Sequence, residues 1–105
     1  MAKTKFSLNA APTFKATVAI PVPGGEEAPI VVTFRHKTRE EFKGFIDSLE
    51  GKKQPEALAE IMVGWDLDDE FNTDNLQKLT DNYLGASEAI ITRYIEELTR
   101  ARRGN

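Results

Sequence analysis

The sequence predicts an α+β domain: an N-terminal β-hairpin packed on a C-terminal bundle of about four α-helices. Three observations carry this. Apolar and polar residues alternate over two early runs, "FKATVAIPV" and "IVVTFRH", and a period of two belongs to strands with one buried face. After Thr38 the apolar spacing changes to i, i+3, i+4, i+7, the period of amphipathic helices. The strand runs come first and the helical runs follow, and such segregation marks α+β rather than α/β. The chain has 105 residues, so residues 1–105 are expected to form a single domain around one core.

Residues 1–12, "MAKTKFSLNAAP", show no period and are expected to form a flexible arm. The hairpin is placed at about 13–36. Phe14, Ala16, Val18, Ile20 and Val22 share one face, and Pro21, which cannot donate to a ladder, marks an edge or a strand end. "PGGEEAP" has the composition of a loop. In the second run Ile30, Val32 and Phe34 share a face, with Thr33 and Arg35 on the other. A lone hairpin is marginal in water, so its apolar face is expected to lie on the helices.

The first helix is predicted at about 38–50. Thr38 and Glu41 have the spacing of a capping box, Phe42, Phe45, Ile46 and Leu49 form the stripe, and Gly51 stops it. The second is predicted at about 55–64, with Pro55 in its first turn. Leu58, Ile61, Met62 and Trp65 repeat the stripe, with Gly64 a candidate C-cap. The third runs over about 73–83, capped by Asn72 or Thr73, with Asp74 at its positive end and Leu76, Leu79 and Tyr83 on its inner face. Gly85 separates it from a fourth helix at about 86–102. That helix carries Ile90, Ile91, Tyr94, Ile95 and Leu98, and Arg100, Arg102 and Arg103 complement its negative end.

Composition excludes more functions than it suggests. The net charge is -3, from 14 basic and 17 acidic residues, whereas a general nucleic-acid surface carries a basic excess. There is no cysteine, so disulfides, thiolate zinc sites and cysteine nucleophiles are excluded. No stretch has the apolar length of a signal peptide or a membrane span, and the default expectation is a cytosolic protein.

The densest chemistry lies in "VGWDLDDEF", where the single tryptophan precedes four acids within five positions. A calcium loop of the EF-hand type starting at Asp66 would need glycine at position 6 and a carboxylate at position 12. Those positions hold Phe71 and Gln77, so the template fails. An acid–base pair needs carboxylates shifted by burial or enforced proximity, which a charged loop of Asp66, Asp68, Asp69 and Glu70 does not supply. His36, the only histidine, has no second imidazole with which to share a metal and continues the apolar face of its strand. No nucleophile elbow or phosphate-cradling glycine loop is present. The chain is therefore read as non-catalytic, without cofactor or metal. The acidic stretch reads as a corner between helices, with Trp65 in the core, partly available to a partner. The alternative is a small regulatory DNA-binding protein using the helix-turn-helix-like pair around Gly85, which the acidic balance disfavours.

Residues Gly64 to Asn105 resemble the C-terminal part of a phage tail assembly chaperone family. The matching elements are Gly64, Trp65, Asp66 and Phe71; then Leu79, Asp81, Asn82, Tyr83, Gly85 and Ala86; then Ala89, Ile90, Tyr94 and Leu98; and Arg102, Arg103 and Asn105 at the end. The chain departs from the pattern at Leu84, where the family usually has proline. The resemblance implies a non-catalytic assembly role in the cytoplasm of a phage or prophage host, and absence from the finished virion. It implies a tape measure protein and tail tube subunits as partners, self-association into a ring or helical array, and no nucleic-acid or membrane partner. The residues expected to meet a partner are Trp65, Asp66, Phe71 and Tyr83, together with Arg102 and Arg103.

Overall fold

The computed structural model describes residues 6–100. Strand β1 spans Thr13–Ile20 and β2 spans Ala28–Arg35. They pair antiparallel, with Thr13 opposite Arg35 and Ile20 opposite Ala28. The alternation read from the sequence is the one observed. Ala16, Val18 and Ile20 are buried, as are Ile30, Val32 and Phe34, and the odd-numbered residues of β1 are exposed. Between the strands, Gly25 N donates to Val22 O at 3.0 Å. Pro23 and Gly24 occupy the centre of that turn, and Gly24 has φ +74°. Proline followed by glycine at positive φ is the arrangement of a type II turn. His36 lies one residue beyond β2, and its N–H donates to Pro12 O at 2.8 Å.

Helix α1, Arg39–Ser48, starts where predicted. Glu41 N donates to Thr38 Oγ1 at 3.3 Å and Thr38 N to Glu41 Oε1 at 2.9 Å, closing the capping box. Those bonds hold the Glu41 carboxyl below the usual carboxylate range, the Thr38 backbone bond contributing most. A 3-10 turn over Leu49–Gly51 finishes the helix, so the predicted end is met in a tighter form.

Helix α2 spans Gln54–Ile61 and is shorter than expected. The segment predicted as its last turn is instead a third strand, β3, over Met62–Trp65. Gly64 is thus a strand residue and not a helix C-cap. β3 pairs antiparallel with β2, placing Val32 opposite Trp65, Thr33 opposite Gly64 and Phe34 opposite Met62. Three residues of β3 therefore face two of β2 between Met62 and Gly64, a register shift characteristic of a β-bulge. The shift lets Met62 and Trp65 both face the helices although three positions separate them. The sheet order is β1-β2-β3, so β2 is central and its Val32 and Phe34 are fully buried.

Helix α3 spans Thr73–Asn82 and α4 spans Ala86–Thr99. Asn72 is the cap of α3: Asn75 N donates to Asn72 Oδ1 at 2.8 Å. Arg100 closes α4 in the left-handed conformation, with φ 57°. Arg102 and Arg103 lie outside the described residues, as do the last residues of the predicted fourth helix and the first five of the predicted arm.

The helices cover one face of the sheet. Phe45, Leu58, Ile61, Leu76 and Ile90 are essentially inaccessible and meet Val32, Phe34 and Met62 in one core. Each such side chain stabilises the fold by roughly 1.5–3 kcal/mol on burial. Tyr94 stands at the centre, its ring within 6.5 Å of Phe14, Phe34, Phe42 and Phe45 by centroid distance. Its hydroxyl donates to Arg35 O at 2.7 Å, tying α4 to the end of β2.

Candidate partner-binding site at the acidic corner

The corner begins where β3 ends. Asp66 N donates to Val31 O at 3.1 Å, and Val31 N donates back to Asp66 Oδ1 at 2.9 Å. In an antiparallel ladder the return bond goes to a backbone carbonyl. Here the Asp66 carboxylate takes that place, so β2 keeps its acceptor while the main chain turns away. Asp66 is therefore a strand terminator that opens the loop. Replacing it with alanine leaves Val31 N–H without this acceptor and is expected to destabilise the fold by about 1–2 kcal/mol. Asp66→Asn keeps a side-chain carbonyl and is expected to recover most of the loss. Urea unfolding of the two variants makes the comparison.

Trp65 and Phe71 close the corner across the loop. Their ring centroids are 5.2 Å apart at an interplanar angle of 88°, an edge-to-face contact. Trp65 Nε1 donates to Asp69 O at 2.8 Å, and Asn75 Nδ2 donates to Glu70 O at 2.7 Å. The loop backbone is thus pinned by side chains from the strand before it and the helix after it. The carboxylates of Asp68, Asp69 and Glu70 point outward: all three residues are exposed, and none takes part in an ion pair among the described residues. Among those residues, no group of three or more His, Asp or Glu side chains is arranged to hold a metal ion.

Beside the corner lies a groove of about 430 Å³, between the hairpin end of the sheet, the loop after β3 and helix α3. Its apolar lining includes Ile20, Val22, Trp65, Leu67, Leu79 and Tyr83, and Asp69, Lys78 and Asn82 are among its polar residues. Two of the residues expected from the sequence, Trp65 and Tyr83, both line this groove. Phe71 braces the Trp65 ring, and Asp66 holds the strand end that carries it. Arg102 and Arg103 lie outside the described residues.

Leu67, 37% exposed, was not singled out from the sequence, and Leu84, 81% exposed, was noted there only as a departure from the family pattern. Leu67 lines the groove, and Leu84 follows Tyr83 on the surface. Exposed leucines in a polar loop or turn have no periodicity to mark them, and only the fold shows what they adjoin. The turn carrying Leu84 sits hard on the hairpin. A Cβ added at Gly85 would come within 3.0 Å of Pro21 Cγ, so the absence of a side chain at Gly85 permits the close approach of this turn to β1.

The pair α3–α4 presents no basic face. The first turns carry Asp74 and Glu88, and Arg93 is paired with Glu97 at 2.9 Å and Glu96 at 3.7 Å. Helices that enter a DNA groove instead neutralise phosphates with free cations. No helix among the described residues is long and apolar enough to cross a membrane.

No curated protein and no solved structure matches the chain. A family model described as phage tail assembly chaperone matches residues 1–105, its whole length. The match extends the resemblance read from Gly64 onward back through the hairpin, so strands, corner and helices are all part of one family pattern: the chain belongs to the phage tail assembly chaperone family.

Proposed function

We propose that the chain binds the tape measure protein of its phage or prophage in the host bacterial cytoplasm, keeps it from aggregating, and promotes assembly of tail tube subunits around it. The role is non-catalytic, and the chaperone leaves before the virion is complete. The observation that best supports this reading is the groove lined by Trp65, Leu67, Leu79 and Tyr83, within a chain of the chaperone family. A concave apolar strip with a few polar residues suits the apolar stripe of a partner helix. An acidic surface around it would help keep a complex of many copies dispersed.

The test uses the double variant Leu67→Glu, Leu84→Glu. Both side chains are exposed, so circular dichroism and melting should change little. Affinity for the tape measure protein is expected to fall at least tenfold, the scale of a disrupted contact centre. Unchanged affinity in a folded variant would remove the groove from the binding surface.

A further inference from the structure

The sheet has two edges, and they differ. At one, β3 is four residues long, carries the bulge and ends at Asp66, whose carboxylate takes the last ladder bond. Short, bulged strands are one way in which folds blunt an edge. At the other, β1 is eight residues long and pairs with β2 without a register shift. The ladder shows which of its backbone groups face outward. His36 N–H donates to Pro12 O, and bonded pairs alternate along an antiparallel ladder. Phe14, Ala16 and Val18 therefore bond to β2, while the N–H and C=O groups of Thr13, Lys15, Thr17 and Ala19 point away from it. Val31, opposite Thr17, has the matching phase, since its own backbone groups bond to Asp66 on the far side. Among the described residues, no hydrogen bond reaches the outward groups of β1.

Helix α4 runs alongside this edge in the opposite direction. Gly85 lies against Pro21, and the Tyr94 ring stacks on Phe14 at 6.0 Å. An open groove of about 470 Å³ lies between them, lined by Thr17 and Ala19 from the strand and by Ala89 and Thr92 from the helix. Its carboxylates are Glu27, Glu88 and Glu96. Its cation, Arg93, is already held by Glu97 at 2.9 Å and Glu96 at 3.7 Å. Glu27 and Glu88 take part in no ion pair among the described residues, so the groove is acidic. A second copy of β1 would bring the same carboxylates against these, and like charges so placed repel. A basic strand suits the groove instead. Glu88 and Glu96 stand eight positions apart on α4, about 12 Å. Residues four apart on one face of a strand are separated by about 13 Å. The two carboxylates thus match basic side chains at i and i+4 of an added strand, with a small residue between them beside Ala89 and Thr92.

We infer that the outer edge of β1 and the adjoining face of α4 dock an extended, basic segment of a partner polypeptide as a further strand of the sheet. Main-chain bonds to Thr17 and Ala19 make the pairing, and Glu88 and Glu96 select Lys or Arg at i and i+4. The site shares no lining residue with the groove beside Trp65, so the inference does not depend on the role of that groove.

The test uses the full chain and two capped heptapeptides, each titrated to about 1 mM. Both have Thr at odd positions and Ala at the fourth; one carries Lys at the second and sixth positions, the other Glu. The Lys peptide is expected to slow amide exchange at Thr17 and Ala19 by about twofold or more, and added salt should weaken it. The Glu peptide should bind about tenfold more weakly or not at all. Two variants check the residues. Glu27→Lys, Glu88→Lys reverses two exposed charges, and Thr17→Pro removes an outward N–H but no ladder bond. Each should lower affinity for the Lys peptide about tenfold, with circular dichroism verifying the fold. If Thr17→Pro does not fold, the charge variant and the Glu peptide decide. Absence of protection at Thr17 and Ala19, equal affinity for the two peptides, or unchanged affinity in the charge variant would each overturn the inference.

Discussion

Tyr94→Ala is expected to destabilise the protein by about 3–5 kcal/mol, the range for removing a large aromatic from a packed core. The ring is fully buried among Phe14, Phe34, Phe42 and Phe45, so its loss opens a cavity shared by β1, β2, α1 and α4. Domains of this size have a total stability of about 5–15 kcal/mol, and the variant should sit near the edge of folding. Denaturant titration gives the number. Tyr94→Phe separates packing from polarity. It keeps the ring and loses only the bond to Arg35 O, for an expected loss of about 1 kcal/mol.

The same residue gives a pH signature. Burial pushes the Tyr94 hydroxyl up from 10.0 to about 12, partly offset by Arg35. The folded pKa is thus above the unfolded one, and the folded state holds a proton that the unfolded chain has released. The stabilisation due to this group is fully present below about pH 10 and is lost as pH rises through about 12. In Tyr94→Phe that part of the alkaline decline should disappear.

The second large effect is expected at Trp65. Its ring is half-buried, so Trp65→Ala should destabilise the fold by about 2–3 kcal/mol, below the range for a fully enclosed aromatic. Three connections go at once: the wall of the groove, the edge contact with Phe71, and the bond that fixes Asp69 O. The corner should therefore loosen more than the sheet. Amide exchange at the start of α3, around Asn75 and Leu76, is expected to accelerate, while Val18 and Val32 stay protected until global unfolding. Uniform acceleration across the molecule would show that the corner is not a separately held unit.

These effects divide by how local their causes are. The hairpin faces, the Thr38–Glu41 box, a cap at Asn72 or Thr73 and the turn at Gly85 were legible because each rests on residues a few positions apart. β3 was not. Leu58, Ile61, Met62 and Trp65 satisfy helical spacing, and a four-residue strand is too short to display its own period. Its bulge at Val63 further hides the alternation, since Met62 and Trp65 face inward with an odd separation. Of the site, Trp65, Phe71 and Tyr83 were visible as aromatics at helix and strand ends. The groove itself was not, because it joins the hairpin end, the corner and α3. Asp66 was expected at a partner surface, but the bond its carboxylate makes was equally hidden. Its partner Val31 is 35 residues away, and the sequence showed only one acid in an acidic run. The hydroxyl of Tyr94 reaches 59 positions back to Arg35 for the same reason.

The acids of the corner change meaning between sequence and fold. The sequence raised them as candidate metal or acid–base groups before the calcium template failed. In the fold, Asp66 completes the β2–β3 ladder and the others face water beside an apolar groove. Their chemistry would suit a charged rim if the groove binds a partner as proposed.

The central claim is that this small acidic chain shields a tape measure protein during assembly. The most direct measurement is the soluble fraction of the tape measure protein expressed with and without the chain in the same cells. The account predicts a rise of several-fold with the chain present, and loss of most of that rise when Leu67 and Leu84 are replaced by glutamate. A soluble fraction that does not change when the wild-type chain is supplied would contradict it.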